Sequence, residues 1–216
     1  MMRNIRFYLI RHAQTDWNVE GRIQGIEDIP LNSTGLEQVA RLATHVRAKK
    51  EELKIDSIYS SPLLRASDTA MAVGEAINVP VNIDSNLVEV DFGCISGIAW
   101  RDMPQDYRRI LINKAMDPYG VVYPEGEDYE DTVLRAKRFL EDVIESGSMN
   151  IAVVSHTAIL RVIAGILIKK NYRTMLKKSF GNCTINEVLV RYNERRYSVL
   201  GVKALYGRMV RRKEDM

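Results

Sequence analysis

Residues 5–12 read Ile-Arg-Phe-Tyr-Leu-Ile-Arg-His, a short apolar run that ends abruptly in Arg11 and His12. Continuous apolar runs of this length, rich in β-forming residues, are typical of strands buried on both faces of a sheet. A second such run, residues 151–154 (Ile-Ala-Val-Val), is followed two residues later by His156. The two stretches therefore predict two buried strands, each with a histidine at its carboxyl end.

The rest of the chain alternates between strand and helix patterns. Further strands are predicted at residues 55–60 and 79–83, helices at 34–46, 63–77, 127–145 and 157–169, and a closing hairpin from 184–192 and 197–202, with Asn193 and Glu194 near its turn. Thr34 and Glu37 form a capping-box pattern at the start of the first helix. Strands that alternate with helices indicate an α/β sheet covered on both faces. The predicted fold is a three-layer α/β/α sandwich with a mostly parallel central sheet.

The size and composition fit one globular domain. The chain has 216 residues, 46% of them hydrophobic, which is enough to bury a substantial core. We predict a single domain over residues 1–216, with a basic C-terminal tail at about 207–216. A mixed stretch with several proline-marked turns, about 94–126, is expected to be a substrate-facing insertion.

Charge, hydropathy and cysteine usage exclude several classes of protein. The net charge is only +3, and a short basic cluster near the C terminus is weak support for a nucleic-acid partner, so none is expected. The apolar residues 159–168 are too few to span a bilayer and include Arg161, so no membrane partner is expected either. No signal-peptide pattern is present, and Cys94 and Cys183 fit neither a disulfide scaffold nor a metal site. These features predict a cytoplasmic protein.

Two of the three histidines occupy positions that are typical of a ligand site. In open α/β sheets, ligands bind at the carboxyl ends of the strands, where His12 and His156 are predicted to lie. Arg11 precedes the first histidine, and Arg65 lies where the 55–60 strand passes through a loop into a helix. The four side chains are therefore expected to converge on one crevice.

The chemistry of these side chains suits a phosphate ester. Guanidinium groups stay charged and match phosphate oxygens in a bidentate fork. A neutral imidazole such as His12 can attack phosphorus if its other nitrogen is hydrogen-bonded, and a second imidazole, His156, can stabilise the phosphate oxygens if it is protonated. The helix N-termini after Pro62 and after His156 would add N–H donors facing the same anion. The set predicts phosphoryl transfer with His12 as the nucleophile.

A proton donor for the departing alkoxide is also required. Glu89 follows a predicted strand near the same edge of the sheet, and a carboxyl that faces a phosphate dianion is more readily protonated. Asp91 lies two residues further on, and a strand could present either carboxyl. Glu89 is the favoured general acid.

Several sequence blocks occur together in the order found in one known family. They are residues 9–18, 24–25, 28–31, 34–35, 60–66, 69–70, 89, 92–93, 97, 124–127 and 154–157. Their content and order, over nearly the whole chain, resemble the histidine phosphatase superfamily, also called the phosphoglycerate mutase-like family. The resemblance implies a phosphoglycerate mutase-like fold and a reaction that needs no metal or other cofactor.

The resemblance also implies residue roles. His12 would become a phosphohistidine, with Arg11, Arg65 and His156 forming the phosphate pocket and Glu89 donating the proton. Further contacts with the phosphate or the rest of the substrate would come from Thr15, Asn18, Gln24 and Gly25. Thr157 stands where the family often has glycine, and its hydroxyl could either crowd the pocket or add a donor.

Four functions compete on this reading. The first is a phosphatase, in which water hydrolyses the phosphohistidine. The second is a phosphoglycerate mutase that uses 2,3-bisphosphoglycerate as phosphoryl donor; such mutases usually carry an Arg-His-Tyr-Gly run after the acid, which residues 90–94 lack. A catalytically inactive phosphate-binding module conflicts with the complete set of site residues. A metal hydrolase conflicts with the spacing of the histidines. We favour the phosphatase.

The identity of the substrate stays open at this stage. A small phosphorylated metabolite is the expected partner, and sugar phosphates, phosphoglycerates and α-ribazole-type nucleotide-loop phosphates are all candidates. Tyr107, Tyr119 and Tyr123 in the 94–126 segment are possible walls of the leaving-group pocket. The closing hairpin could form the edge of a homodimer.

Overall fold

The structure is a computed structural model that describes residues 2–119, 122–176, 180–193 and 196–206. The predicted basic tail at 207–216, Glu194 of the predicted hairpin turn and two residues of the predicted insertion lie outside the described residues.

One sheet organises the described part of the chain. Its strands are β1 (Arg3–Arg11), β2 (Ser57–Ser60), β3 (Val81–Ile83), β4 (Asn150–Ser155), β5 (Ile185–Asn193) and β6 (Arg196–Tyr206), in the order β3-β2-β4-β1-β5-β6. β1 and β2 both pair with β4 in parallel, and β2 pairs with β3 in parallel. β5 pairs antiparallel with β1 and with β6. The mostly parallel sheet is confirmed, and its antiparallel part is the predicted hairpin.

Helices connect the strands and cover both faces of the sheet. They are α1 (Asp16–Glu20), α2 (Ser33–Ala48), α3 (Lys50–Leu53), α4 (Leu64–Ile77), α5 (Gln105–Met116), α6 (Tyr129–Glu145), α7 (Thr157–Ile168) and α8 (Tyr172–Leu176). The four predicted helices correspond to α2, α4, α6 and α7. Among these described helices, none is long and apolar enough to cross a membrane.

Side chains of the central strands alternate between two apolar cores. On β1, Ile5, Phe7 and Leu9 pack with α6 and α7, whereas Tyr8 and Ile10 pack with α2 and α4. Successive side chains of a strand point to opposite faces, so a strand that is apolar at nearly every position must be covered on both sides. The three-layer α/β/α sandwich is confirmed.

The start of α2 differs from the predicted capping box. Asn32 is the N-cap: its Oδ1 accepts a hydrogen bond of 2.8 Å from the N–H of Gly35, while Thr34 lies inside the first turn. Asn is at least as favourable as Thr at an N-cap, and here Asn32, two residues before Thr34, is the cap. A Cβ built on Gly35 would lie 2.1 Å from the carbonyl oxygen of Gln14. This close approach packs the start of α2 against the segment that follows His12.

Part of the 94–126 segment packs as a third apolar cluster beside the sheet. Its buried members are Val90, Ile95, Met103 and Tyr123. Ile23 and Phe92 pack against the cluster. At the far side of the sheet β6 is an outer strand, and the homodimer suggested for the hairpin stays a prediction.

Candidate active site

The carboxyl ends of β1 and β4 lie side by side. Arg11 is opposite Ser155 in the parallel register, and the N–H of His12 donates to the carbonyl of Ser155 across 2.9 Å. His12 and His156 are the first residues after these two strands, and their ring centroids are 5.1 Å apart. The structure therefore brings the two histidines together at the predicted edge.

The imidazole of His12 is held as a neutral nucleophile. Its Nδ1 lies 2.7 Å from the carbonyl oxygen of Ala13, which can only accept, so Nδ1 carries the proton and Nε2 keeps its lone pair. Burial, and then the charges of Arg11 and Arg65, hold the pKa of His12 well below its usual value. The predicted requirement that the other nitrogen be hydrogen-bonded is met.

The backbone around His12 is fixed from two sides. Thr69 of α4 accepts a hydrogen bond of 3.1 Å from the N–H of Ala13 through its hydroxyl oxygen. The side-chain amide of Asn182 donates to the carbonyl of His12 across 2.9 Å and to Oδ1 of Asn18 across 3.2 Å. These contacts limit the rotation of the nucleophile, which favours attack along one direction.

Arg65 is fully buried and points into the same crevice from α4. Its Nη2 donates to the carbonyl of Gly25 across 2.8 Å, its Nη1 to that of Glu27 across 2.5 Å, and its Nε to Nδ1 of His156 across 3.2 Å. Burial lowers the pKa of Arg65 to about 10, so the group is still charged at neutral pH. Three fixed contacts set the plane of its guanidinium.

Arg11 precedes His12 in the chain and lines the same cavity. Its Nη1 donates to the carbonyl of Phe180 across 3.0 Å, while its Nε is buried without a hydrogen-bond partner. Burial lowers its pKa to about 10. Among the described residues, no carboxylate oxygen lies within 4 Å of a nitrogen of Arg11 or Arg65, although the charge of Glu89 acts on both across the cavity.

His156 does not meet the condition of protonation under which it could stabilise the phosphate oxygens by its charge. Because its Nδ1 accepts from Arg65, its proton is on Nε2, which lies 2.9 Å from the hydroxyl of Ser61. Burial, followed by the charge of Arg65, holds its pKa well below the usual value. His156 is therefore neutral, and its hydrogen bond orients Arg65.

Glu89 also reaches the site, but not from the end of a strand. It follows a 3₁₀ turn at Ser85–Leu87, in a segment without regular structure. Its carboxylate accepts hydrogen bonds of 3.1–3.2 Å from the N–H groups of Ala158 and Ile159 in the first turn of α7. The alternative acid Asp91 accepts the N–H of Gly93 across 2.8 Å and, unlike Glu89, is not among the residues that line the site cavity, so the structure favours Glu89.

The helix N-termini are used differently from the prediction. The first-turn N–H groups of α7 bind Glu89, and that of Leu64 in α4 donates to Asp28 across 2.7 Å. Carboxylates at helix N-termini are favoured by the helix dipole. The N–H groups of Leu64, Ala158 and Ile159 are thus bound to carboxylates of the protein itself.

A clamp holds the segment that carries Glu89. Arg135 of α6 forms a bidentate ion pair with Glu127, at 2.6 and 2.9 Å. Its Nη1 also donates to the carbonyls of Asn86 and Val88, at 2.7 and 2.6 Å. The guanidinium thereby fixes the backbone immediately before Glu89.

These side chains surround a cavity of about 190 Å³. It is lined by Arg11, His12, Asn18, Arg22, Ile23, Gln24, Gly25, Arg65, Glu89, Phe92, Thr157, Ala158 and Arg161. Eight of the ten residues proposed from the sequence are in this set; His156 lies behind it against Arg65. Thr15 is not brought to the cavity: it is buried as the N-cap of α1, where its side chain accepts the N–H of Asn18.

Two lining side chains have unused polar atoms. Oε1 of Gln24 and Oγ1 of Thr157 are buried without a hydrogen-bond partner. Buried polar atoms without partners are costly unless a ligand or water satisfies them. The Thr157 hydroxyl therefore adds a polar contact point, and the cavity remains open beside it.

Sequence reasoning missed several lining residues and misplaced others. Arg161 lies four residues after Thr157, which puts both on one face of α7 and is the signal in the sequence that could have located it. Ile23 and Phe92 form the apolar wall, and the predicted tyrosine wall is wrong. Tyr123 is instead buried in the third cluster with Tyr107 packed against it, and Tyr119 is exposed beside Tyr129.

The described ranges contain no group of three or more His, Cys, Asp or Glu side chains that could hold a metal ion.

Comparisons with known proteins identify relatives over most of the chain. A family model described as "Histidine phosphatase superfamily (branch 1)" matches residues 7–203. Phosphoserine phosphatase 1 of Hydrogenobacter thermophilus is 32% identical over 201 residues, covering 91% of this chain and 90% of the relative. A protein of Escherichia coli O1:K1 named "Probable phosphoglycerate mutase GpmB" is 32% identical over 189 residues, covering 85% and 84%. The crystal structure of an α-ribazole phosphatase from Shigella flexneri superimposes with a TM-score of 0.76 at 26% identity, covering 94% and 96%.

Proposed function

Because this chain belongs to the histidine phosphatase superfamily and is an enzyme of that kind, we propose that it hydrolyses small phosphomonoesters through a phosphohistidine formed on His12. The observation that carries the proposal is the neutral, buried His12 in one cavity with two buried guanidinium groups, neither of which forms an ion pair within 4 Å among the described residues. A phosphate dianion supplies the missing negative charge and places phosphorus next to Nε2.

The first step transfers the phosphoryl group to the enzyme. The lone pair of Nε2 of His12 attacks phosphorus, the ester P–O bond breaks, and Glu89 gives its proton to the departing alkoxide. Arg11 and Arg65 neutralise the charge on the non-bridging oxygens, which is greatest in the transition state.

The second step returns the phosphoryl group to water. The Glu89 carboxylate left by the first step accepts a proton from a water molecule, whose oxygen attacks the phosphohistidine. The P–N bond breaks, inorganic phosphate leaves, and His12 regains its neutral form. The reaction balances without a redox partner, and it uses no metal ion.

The mutase remains the second candidate, because one relative is named as a phosphoglycerate mutase. In that case 2,3-bisphosphoglycerate would phosphorylate His12 and a second hydroxyl would accept the phosphoryl group. The absence of an Arg-His-Tyr-Gly run in residues 90–94 speaks for the phosphatase. In its place Phe92 lines the cavity with an apolar ring.

A cytoplasmic location fits this proposal. Cys94 and Cys183 are both free thiols, as expected in a reducing compartment. The expected partner is a small phosphorylated metabolite.

The nucleophile is tested by trapping the phosphoenzyme. The protein is mixed with p-nitrophenyl phosphate, quenched in base and measured by intact mass, and the phosphorylated residue is located by fragmentation. We expect one added phosphoryl group on His12 and its loss in His12→Gln. His45→Gln, on α2, is the matched control and should be labelled normally. Full labelling of His12→Gln would disprove the assignment.

The fate of the phosphoryl group separates the two candidates. Incubation with 3-phosphoglycerate, with and without 2,3-bisphosphoglycerate, should release inorganic phosphate without forming the 2-isomer. Isomer formation that depends on 2,3-bisphosphoglycerate would establish the mutase instead.

A further inference from the structure

The loop that enters β5 contacts three successive groups at the end of β1. The carbonyl of Phe180 accepts from Nη1 of Arg11 across 3.0 Å, and the N–H of Cys183 donates to the carbonyl of Arg11 across 3.0 Å. The side-chain amide of Asn182 donates to the next carbonyl, that of His12, across 2.9 Å. Cys183 has a φ of 54°, in the left-handed region that residues other than glycine seldom adopt. Such a conformation persists where surrounding contacts fix it, so the loop is held against the nucleophile.

Asn182 also fixes which way the side chain of Asn18 faces. Nδ2 of Asn182 lies 3.2 Å from Oδ1 of Asn18, and the same Oδ1 accepts the N–H of Thr15 across 3.1 Å. A backbone N–H can only donate, so the atom of Asn18 that faces Thr15 must be its oxygen. The orientation of Asn182 is fixed likewise, because the carbonyl of His12 can only accept. Nδ2 of Asn18 therefore lies on the side of its carboxamide that faces away from both donors.

The amide nitrogen of Asn18 is available as a donor beside the nucleophile. Asn18 lines the same cavity as Arg11, His12 and Arg65. Within the described ranges, no group accepts a hydrogen bond from Nδ2 of Asn18. Phosphate oxygens accept strongly, and a donor whose orientation is already fixed loses little freedom when it binds them. The geometry thus suits a neutral hydrogen bond from Asn18 to the phosphate.

We propose that Asn182 is a positioning residue of the phosphate site. It turns the amide of Asn18 so that Nδ2 donates to a phosphate oxygen, and through the carbonyl of His12 it fixes this donor relative to the nucleophile. Asn182 is not among the described residues that line the cavity, so it acts through Asn18 and His12 and does not itself contact the substrate. The inference rests on the phosphatase function proposed above.

Binding of inorganic phosphate tests this role without any catalytic step. Isothermal titration of the full-length protein gives the Kd. We expect Asn18→Ala and Asn182→Ala each to weaken phosphate binding by about tenfold, because one hydrogen bond to an anion is lost or misdirected. Asn113→Ala, which changes an exposed asparagine of α5, is the matched control and should bind phosphate as the wild type does.

A double-mutant cycle distinguishes positioning from a general structural effect. Because Asn182 acts on the bound phosphate through Asn18, the variant that combines Asn18→Ala with Asn182→Ala should bind phosphate little more weakly than Asn18→Ala alone. A purely structural role of Asn182 would give losses that multiply, to about a hundredfold in Kd, and would overturn the proposal.

A measurement on the wild-type protein decides the matter if Asn182→Ala does not fold. Side-chain amide signals are recorded by NMR on protein with isotope-labelled asparagine, and the Asn18 signal is assigned by its absence in Asn18→Ala. We expect inorganic phosphate to shift the Asn18 signal and to leave the Asn113 signal in place. An Asn18 signal that saturating phosphate does not move would overturn the proposal.

The outcomes separate this inference from the phosphatase function. Unchanged phosphate binding in Asn182→Ala, with normal hydrolysis of p-nitrophenyl phosphate, overturns the positioning role and leaves the phosphatase intact. A wild-type protein that shows the expected coupling in phosphate binding but hydrolyses no ester would support the positioning role and overturn the phosphatase.

Discussion

Nε of Arg65 donates a hydrogen bond of 3.2 Å to Nδ1 of His156, so a buried imidazole accepts from a buried cation. Such a contact requires the neutral ring, because a protonated histidine has no acceptor. His12, 5.1 Å away between ring centroids, is neutral for related reasons. The site therefore holds two uncharged histidines beside two positively charged arginines.

The two buried histidines predict a loss of stability in mild acid. Their folded-state pKa values lie well below the ordinary 6.5, so below that pH the unfolded chain binds more protons than the folded one. The free energy of unfolding should be nearly constant above about pH 7 and fall below 6.5, by up to about 1.4 kcal/mol per pH unit for each histidine. Urea denaturation between pH 7.5 and about 5.5 measures the slope. A flat profile would contradict the neutral assignment, and His12→Gln should reduce the slope.

Glu89 predicts a dependence on the leaving group. Glu89→Gln removes the proton donor, so alkyl phosphates, whose alkoxides leave poorly, should lose about a hundredfold or more in kcat/KM. Aryl phosphates, whose phenolates leave without full protonation, should lose much less. Glu141→Gln, an exposed glutamate of α6, serves as the control. Equal losses for both classes of ester would argue against general acid catalysis.

Loss of the Arg135 side chain, which does not contact the substrate cavity, should disturb the position of Glu89. Arg135→Met removes the donors to the carbonyls of Asn86 and Val88. The variant should show the same selective loss with alkyl phosphates, and combining it with Glu89→Gln should add little further loss. Steady-state kinetics on both ester classes measures this. A purely structural role would lower both classes equally and add fully to the Glu89 effect.

Gly35 predicts a steric requirement at the start of α2. In Gly35→Ala the new methyl group would meet the carbonyl oxygen of Gln14, so the helix or the loop after His12 must move. The expected cost is about 1–3 kcal/mol of unfolding free energy, with lower activity. Gly201→Ala, where no atom lies within 4 Å of a built Cβ, should be nearly neutral. Urea denaturation of both variants makes the comparison, and equal stability would refute the steric account.

The proposed mechanism predicts that metal removal has no effect. Dialysis against EDTA should leave kcat and KM for p-nitrophenyl phosphate unchanged. Activity that disappears on chelation and returns with a divalent cation would require a different mechanism.

The parts of the site that follow strands were predictable from the sequence. A buried parallel strand is apolar throughout and must end in polar residues at the ligand edge, which located Arg11, His12 and His156. The alternation of strands and helices predicted the layers for the same reason. Arg65 was predictable for the same reason, because it follows the predicted strand that corresponds to β2.

Other features depend on tertiary contacts that a local pattern does not encode. Glu89 lies in irregular chain, and its position is set by α7 and by Arg135. Both Asn32 and Thr34 are residue types favoured at an N-cap, and in the structure Asn32 takes this role by accepting the N–H of Gly35. Arg161 looked like a charge within an apolar helix until the face it shares with Thr157 was placed beside the cavity.

The pairing of β1 has a consequence for how the protein is made. Phe7 of β1 lies opposite Ile151 of β4 on one side and Val188 of β5 on the other. During synthesis β1, which precedes His12, is therefore made long before the strands with which it pairs. Contacts between distant parts of a chain form slowly, since the loop between them must first close. A nascent chain on the ribosome would hold His12 from the start but should not react until β5 has emerged, so activity should switch on late in translation.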